Sequence, residues 1–221
     1  MPAEMATITC SCGAVQLTLP NAVPKYRCGC CCTECLQRAY IGTNGTPPPF
    51  SLLEEPVDLL YIDSQIMRPD SDTLARLSVF KLNDQDAPNI NLRSKCCGSV
   101  LVTENSEFHR PHTMATFNNL GSFLKCTFSD LPEPGFNVFT KDWTAEKRQA
   151  LRKKEKLQYG KPLPQVDDPR LPTNEPAFVE GIAAMQLEAN PKPEGSISFA
   201  ELIDGMEIDV VADYYDEAHH D

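Results

Sequence analysis

The 221-residue sequence lacks a long apolar run, an internal repeat and an excess of positive charge. Without a run of about 20 apolar residues it has no transmembrane segment, and we expect no membrane partner. No repeat of roughly 20 to 50 residues is visible, as a repeat architecture would require. The 31 acidic residues outnumber the 20 basic residues, which gives a formal net charge of −11. That balance argues against a protein that neutralises the phosphates of nucleic acid or binds anionic lipid.

The N-terminus also lacks the features of a secretory signal. Residues 1–7 have no basic start, and no apolar run of roughly 7 to 15 residues precedes Cys10. We therefore expect a cytoplasmic protein in a reducing compartment. In such a compartment, closely spaced cysteines are more often metal ligands or catalytic thiols than disulfides.

Cysteine is the residue that this sequence has in excess. Seven of its ten cysteines fall within the first 35 residues. A chain of this length can bury a core without cross-links, so the clustering has a chemical cause rather than a purely structural one. The positions are Cys10, Cys12, Cys28, Cys30, Cys31, Cys32, Cys35, Cys96, Cys97 and Cys126.

Two short motifs are typical of a zinc site built from distant turns. The first is Cys10-Ser11-Cys12-Gly13, and the second is Ser94-Lys95-Cys96-Cys97-Gly98. Paired cysteines on one tight turn can direct both sulfurs at one metal ion, and a second pair from another turn completes a tetrahedron. We therefore predict that Cys10, Cys12, Cys96 and Cys97 are metal ligands, with zinc as the metal.

A third motif, in which Cys30, Cys32 and Cys35 have the spacing C-x-C-x-x-C, predicts a second zinc site. Three thiolates leave a tetrahedral ion with one open position, which can accept water or a substrate sulfur. The alternative is a closed site in which Cys28 or Cys31 supplies a fourth sulfur. We interpret Cys126 as a small buried side chain rather than a ligand.

The first half of the chain reads as a series of short strands. Apolar or alternating runs lie at residues 15–19, 57–62, 77–82 and 100–102, separated by turns with proline or glycine. This pattern predicts a mostly β protein with mostly antiparallel strands.

The last third of the chain has helix and proline patterns instead of strand patterns. Thr144 is placed to cap a helix that stops at Gly160, and residues 161–176 then carry five prolines. Ser198 and Glu201 have the spacing of a capping box before another apolar run. We therefore divide the chain into a zinc-binding domain at residues 6–145 and a helical, Pro-rich, acidic extension at residues 146–221.

The order of the cysteine motifs resembles a known family. Cys10-x-Cys12-Gly13, then Cys30-x-Cys32-x-x-Cys35, then Arg93 and Cys97-Gly98-Ser99 are similar to the glutathione-dependent formaldehyde-activating enzymes, a family that includes the centromere-protein-V-like proteins. Residues 139–143 are similar to the segment that closes that domain. The resemblance covers roughly residues 6–145, and nothing after residue 160.

The resemblance implies an Mss4-like zinc-bound β fold with two zinc ions. It places Cys10, Cys12 and Cys97 in a structural Cys₄ site, and the three cysteines of the third motif in a catalytic-type site that a thiol such as glutathione approaches. The family has C-x-x-C-G at the late turn, whereas this chain has Ser94 at the position of the first cysteine. Cys96 is the available replacement, but adjacent side chains tend to point apart, so we expect a distorted turn or a weakened site.

These observations lead to one main functional hypothesis and two alternatives. The main hypothesis is a zinc-dependent carbon-sulfur lyase, with Cys30, Cys32 and Cys35 at the catalytic centre, that adds a thiol such as glutathione to a small aldehyde or reverses that step. One alternative is a non-catalytic, zinc-stabilised interaction module. The other is redox sensing or metal storage by the run from Cys30 to Cys32.

Overall fold

The computed structural model describes residues 4–42, 55–83, 85–105, 111–118 and 124–211. Strands predominate over helices in these ranges, as the sequence predicted. Their bounds are β1 (Ala6–Cys10), β2 (Gln16–Leu19), β3 (Tyr26–Cys30), β4 (Val57–Asp63), β5 (Gln65–Met67), β6 (Leu77–Leu82), β7 (Asn89–Ser94), β8 (Val100–Asn105), β9 (Thr113–Phe117), β10 (Leu124–Cys126), β11 (Asn137–Val138), β12 (Gln165–Val166), β13 (Ser196–Ser198) and β14 (Ile208–Val211).

The described strands form one large sheet and two small ones. The large sheet has nine strands in the order β12-β11-β3-β4-β9-β8-β7-β6-β14, while β10-β1-β2 and β13-β5 form the others. Most pairs are antiparallel, which confirms the predicted architecture. The parallel pairs are β11 with β3, β11 with β12, and β14 with β6. Each parallel pair includes a strand that the sequence patterns did not reveal.

The described helices connect and flank these sheets. Thr144 caps the longest one by accepting a hydrogen bond from the Lys147 amide at 3.3 Å, and Gly160 ends it with a φ of 76°, both as predicted. Ser198 and Glu201 form the predicted capping box. The bounds are α1 (Thr33–Gly42), α2 (Ser71–Ala75), α3 (Ala145–Tyr159), α4 (Pro176–Gln186) and α5 (Phe199–Ile203), with a 3₁₀ turn at Thr140–Asp142.

The C-terminal extension is packed into the rest of the molecule. Its strands β12, β13 and β14 pair with β11, β5 and β6, which belong to the preceding domain. Its side chains Phe178, Ile197 and Phe199 are buried in the same hydrophobic core as the strands of that domain. Residues 212–221, the end of the predicted acidic extension, lie outside the described residues.

The strand ends fix where the cysteines lie. β1 ends at Cys10, β3 ends at Cys30, and β7 leads into the turn that carries Cys96 and Cys97. Each cysteine motif therefore starts from a hydrogen-bonded strand, which gives its first sulfur a defined position. Within the described ranges, no helix has the length and apolar character needed to cross a bilayer.

Candidate metal centres

The first candidate metal centre joins two turns that are 84 residues or more apart in sequence. In one turn the Gly13 amide donates to the Cys10 carbonyl at 3.0 Å, and in the other the Gly98 amide donates to the Ser94 carbonyl at 3.0 Å. Both glycines have a positive φ, 78° and 74°, which a residue with a side chain adopts only with strain. These glycines explain why each cysteine motif ends in Cys-Gly.

The four sulfurs of Cys10, Cys12, Cys96 and Cys97 lie within 4.8 Å of one another. The Sγ–Sγ distances are 3.6 Å for Cys10–Cys12, 3.2 Å for Cys12–Cys96, 3.9 Å for Cys10–Cys96 and 4.0 Å for Cys96–Cys97. A tetrahedral zinc ion bound at about 2.3 Å requires sulfurs about 3.8 Å apart. The group therefore has the size and donor set of a metal site, and we call it the four-cysteine centre.

The late turn brings two sulfurs to this group, and Cys96 takes the place of the cysteine that is missing at Ser94, the replacement considered in the sequence analysis. Cys96 and Cys97 are adjacent, yet both sulfurs face the same group because the turn folds back at Gly98. Ser94 stands where the family has a cysteine, and its hydroxyl lies 3.2 Å from the Cys97 sulfur. Ser94 is thus a hydrogen-bonding neighbour of the centre.

Hydroxyl groups favour an ionised sulfur at Cys97. Burial raises the pKa of this thiol, but hydrogen bonds from Ser11, Ser94 and Ser99 outweigh that effect and lower the pKa to about 4. Burial and the neighbouring Cys12 instead raise the pKa of Cys96 to about 12. One sulfur of the centre is therefore a thiolate at neutral pH, and a bound cation would favour ionisation of the others.

The second candidate metal centre lies at the junction of β3 and α1. The sulfurs of Cys30, Cys32 and Cys35 lie within 4.8 Å of one another, with 3.2 Å between Cys30 and Cys32. The Cys35 amide in the first turn of α1 donates to the Cys32 sulfur at 3.3 Å. The strand end and the helix start therefore hold the three sulfurs, which we call the three-cysteine centre.

The other two cysteines of this region do not join the three-cysteine centre. Cys28 is buried in the main core beside Tyr61, and burial raises the pKa of its thiol. Cys31 packs with Trp143 and Leu151 in a separate apolar cluster. Among the described residues, the centre thus has three sulfurs, which would leave a tetrahedral ion one open position.

A cavity of about 580 Å³ adjoins the three-cysteine centre. The three cysteines line it together with an apolar wall that includes Leu59, Phe117 and Val138. The cysteines of the four-cysteine centre do not line this cavity. The three-cysteine centre therefore borders a space large enough for a small organic molecule.

The cavity wall contains a strained aromatic residue. Phe139 has a φ of 57° and a ψ of 34°, a left-handed conformation that is rare for a bulky side chain. The guanidinium of Arg170 lies over its ring at 5.6 Å, and Lys141 and Arg170 both pair with Asp168. Strain of this kind is concentrated at binding sites. From residues 139–143, the segment that carries part of the sequence resemblance, Phe139 and Lys141 line the cavity.

The structure also places a buried arginine at the three-cysteine centre. Arg38 lies on α1, lines the cavity, and donates from Nη2 to the Cys35 sulfur at 2.8 Å. Hydrogen bonds with Cys30 and Cys32, and then the charge of Arg38, hold the pKa of Cys35 well below its ordinary value. The sequence signal was present, since residues three apart on a helix share a face, but the motif analysis gave Arg38 no role at a metal centre.

Other candidates lie elsewhere. The Arg93 guanidinium stacks on Phe80 and pairs with Asp209, and Arg93 does not line the cavity. Cys126 is half-buried on β10 and belongs to neither cysteine group.

Comparisons with known proteins assign this chain to no family. No family model matches this chain, and no curated protein sequence matches it. What the structure supports is a mostly β protein with two cysteine groups, each of which could hold a metal ion such as zinc.

Proposed function

We propose that this protein is a zinc-dependent carbon-sulfur lyase that joins a small thiol such as glutathione to a small aldehyde, or reverses that step. The proposal includes an Mss4-like fold, a structural zinc in the four-cysteine centre and a catalytic zinc in the three-cysteine centre. It also keeps the cytoplasmic location, since all ten cysteines are free thiols in the structure.

The observation that carries the proposal is the contrast between the two centres. Four sulfurs complete a tetrahedral site and leave no position for a substrate, whereas three sulfurs leave one. The incomplete centre is the one that lines the cavity of about 580 Å³. This arrangement is typical of a catalytic metal site beside a structural one.

The residues that would hold the catalytic metal are Cys30, Cys32 and Cys35. When bound, zinc lowers the pKa of a thiol at its open position and so supplies a thiolate nucleophile at neutral pH. Three thiolates more than neutralise a divalent ion, which makes the activation of water less favourable and thiol chemistry more suitable. The donor set therefore favours a sulfur substrate over a hydrolytic reaction.

The reaction needs no oxidant or reductant. A carbon-sulfur bond forms between the thiol sulfur and the carbonyl carbon, the carbonyl π electrons move to oxygen, and the proton lost by the thiol ends on that oxygen. Tyr61 also lines the cavity, where burial raises the pKa of its phenol well above the ordinary value and its side chain is hydrogen-bonded to Cys28.

The test is the rate of adduct formation from glutathione and formaldehyde, measured by NMR with and without the full-length protein. We expect a thiol-dependent acceleration above the spontaneous rate that Cys32→Ser abolishes. Cys126→Ser is the matched control, because Cys126 lies in neither centre, and it should keep the wild-type rate.

Equal rates with and without protein would contradict the lyase and favour the non-catalytic interaction module. Acceleration that survives Cys32→Ser would place the chemistry elsewhere in the protein.

A further inference from the structure

The position of Arg38 is defined by hydrogen bonds on three sides. Besides the contact of Nη2 with Cys35, its Nε donates to the Glu34 carbonyl at 3.3 Å and its Nη1 to the Asn91 side-chain oxygen at 3.5 Å. Asn91 is fully buried, accepts from the Thr103 hydroxyl at 2.8 Å and donates to a backbone carbonyl of β6. The guanidinium is thus preorganised before any ligand arrives.

Arg38 is only 6% exposed, and its described contacts include no carboxylate. The nearest acidic side chain in sequence, Glu34, instead accepts a hydrogen bond from Asn89 at 2.6 Å. A buried cation is stable only beside a counter-charge. The sulfur of Cys35 at 2.8 Å is the group in contact with Arg38 that can supply it.

The charge balance of the loaded centre then follows. A divalent metal with three thiolates has one net negative charge, and Arg38 cancels it. A fourth ligand that is anionic therefore brings the centre to one negative charge instead of two. A neutral fourth ligand leaves the charge unchanged, so its binding does not depend on Arg38.

We infer that Arg38 is a specificity-determining residue of the three-cysteine centre, which favours an anionic sulfur ligand over a neutral ligand at the open position of a bound divalent metal. The inference rests on the proposed function, since it concerns the substrate of the same centre. An arginine suits this role because it stays protonated at any physiological pH. Its removal is expected to weaken thiolate binding by roughly tenfold to a hundredfold, the effect of one nearby unit charge in a partly buried site.

The test uses full-length protein loaded with cobalt(II), whose visible absorption reports the ligands of the metal. Wild type, Arg38→Met and Arg38→Lys are titrated with 2-mercaptoethanol, which binds as a thiolate, and with imidazole, which binds as a neutral ligand. Cobalt in the four-cysteine centre has no open position, so it contributes a constant background to the visible absorption. We expect Arg38→Met to lose thiol affinity by roughly tenfold to a hundredfold with imidazole affinity unchanged, and Arg38→Lys to recover most of the loss.

An equal loss for both ligands would show that Arg38 only supports the fold, and equal affinities in all proteins would show that its charge has no effect; either result overturns the inference. Should Arg38→Met fail to load cobalt, Arg38→Gln is the second neutral variant. If both neutral variants lose cobalt while Arg38→Lys keeps it, the positive charge at position 38 is needed to retain the metal, and that result would also overturn the inference. Wild type that binds cobalt but no thiol would contradict the proposed function itself.

Discussion

At the scale of single residues, the geometry of one turn determines whether the adjacent residues Cys96 and Cys97 can direct both sulfurs at one centre. Neighbouring side chains on a strand point to opposite faces, but these two residues follow the end of β7 and precede Gly98, whose φ is 74°. The backbone reversal brings the two sulfurs to 4.0 Å. Cys96 thereby supplies the sulfur that a cysteine at position 94 would have provided.

The first prediction concerns this replacement. Cys96→Ser removes one of four donors, so the metal affinity of the four-cysteine centre should fall by more than roughly a hundredfold, since the loss of a mere outer partner already costs about tenfold to a hundredfold. Competition with a chromophoric zinc chelator measures the change. Cys96 is exposed, so the fold should survive the substitution. If the protein still binds two zinc ions with wild-type affinity, Cys96 is not a ligand.

The residue scale also shows what the sequence could predict about the site. The spacing of Cys30, Cys32 and Cys35 predicted a common group because local spacing on one turn determines where the sulfurs lie. The sequence indicated both Cys96 and Cys97 as ligands, but the turn geometry that brings two adjacent sulfurs to one centre could not be predicted, since the spacing does not specify the backbone reversal at Gly98. The cavity was also beyond prediction, because its walls come from strands and loops that are distant in sequence.

At the scale of elements, helix α4 shows how the extension is held on the sheet. Its residue Phe178 packs edge-on against Phe136 with ring centroids 5.4 Å apart. The Tyr26 hydroxyl donates to the Ala177 carbonyl at 3.0 Å. Gly181 provides the space, since a Cβ there would lie 2.6 Å from a ring carbon of Phe136 and 2.7 Å from one of Tyr26.

The second prediction follows from that close approach. Alanine is favoured over glycine inside a helix by about 1 kcal/mol, but overpacking against the buried ring of Phe136 and the half-buried ring of Tyr26 costs about 1 to 3 kcal/mol. The clash should prevail, so Gly181→Ala should lower the free energy of unfolding in urea by about 1 kcal/mol net. Val179→Ala on the exposed face of α4 is the control and should change it by less than about 0.5 kcal/mol. A Gly181→Ala protein at least as stable as wild type would contradict the packing.

A third prediction concerns the start of helix α5. A hydrogen bond from Lys192, followed by hydrogen bonds from Ser198, lowers the pKa of Glu201 from its ordinary 4.5 to about 2. Because the folded pKa is depressed, the stabilisation is complete above about pH 4.5 and is lost as the pH falls towards 2. Carbon-13 NMR of the carboxyl group should give the low value in wild type and a higher one in Lys192→Met. Titration of wild-type Glu201 near 4.5 would contradict this account.

The element scale separates what the sequence predicted from what it did not. The strand at residues 77–82 and the helix between Thr144 and Gly160 were predicted with their ends, because periodicity and caps are local signals. Helix α1 was not predicted, because Cys35 in its first turn belongs to a motif whose spacing indicates metal binding rather than a helix. Strand β14 was not predicted either, because its parallel pairing with β6 is a long-range contact.

At the scale of the whole molecule, residues 6–145 and the described part of the extension share one core. Phe199, on helix α5 of the extension, is completely buried. Lys25 near β3 donates to the carbonyls of Leu187 and Glu188 at 2.9 and 3.3 Å and forms an ion pair with Asp63 at 2.8 Å. These contacts should couple the unfolding of the two regions.

The fourth prediction tests that coupling. Phe199→Ala should lower the free energy of unfolding by about 3 to 5 kcal/mol, because it leaves a large cavity in the shared core. Trp143, the single tryptophan, packs with Cys31 of the first region and Leu151 of the extension, in a cluster separate from the core that holds Phe199. Its fluorescence transition should shift together with the far-ultraviolet circular dichroism in one cooperative step. Leu157→Ala, at a residue 90% exposed, is the control and should change little. A Trp143 transition that stays in place would instead show that the cluster around Trp143 unfolds independently of the core around Phe199.

The central claim is that the chain holds two separate metal ions through two cysteine groups. The most direct test is the metal content of purified full-length protein, measured by mass spectrometry for wild type, Cys32→Ser, Cys97→Ser and the control Cys126→Ser. We expect two zinc ions in wild type and in Cys126→Ser. We expect one in Cys32→Ser and one in Cys97→Ser, because these two substitutions remove a donor from different centres. Wild-type protein without bound metal, or variants that both keep two ions, would contradict the central claim.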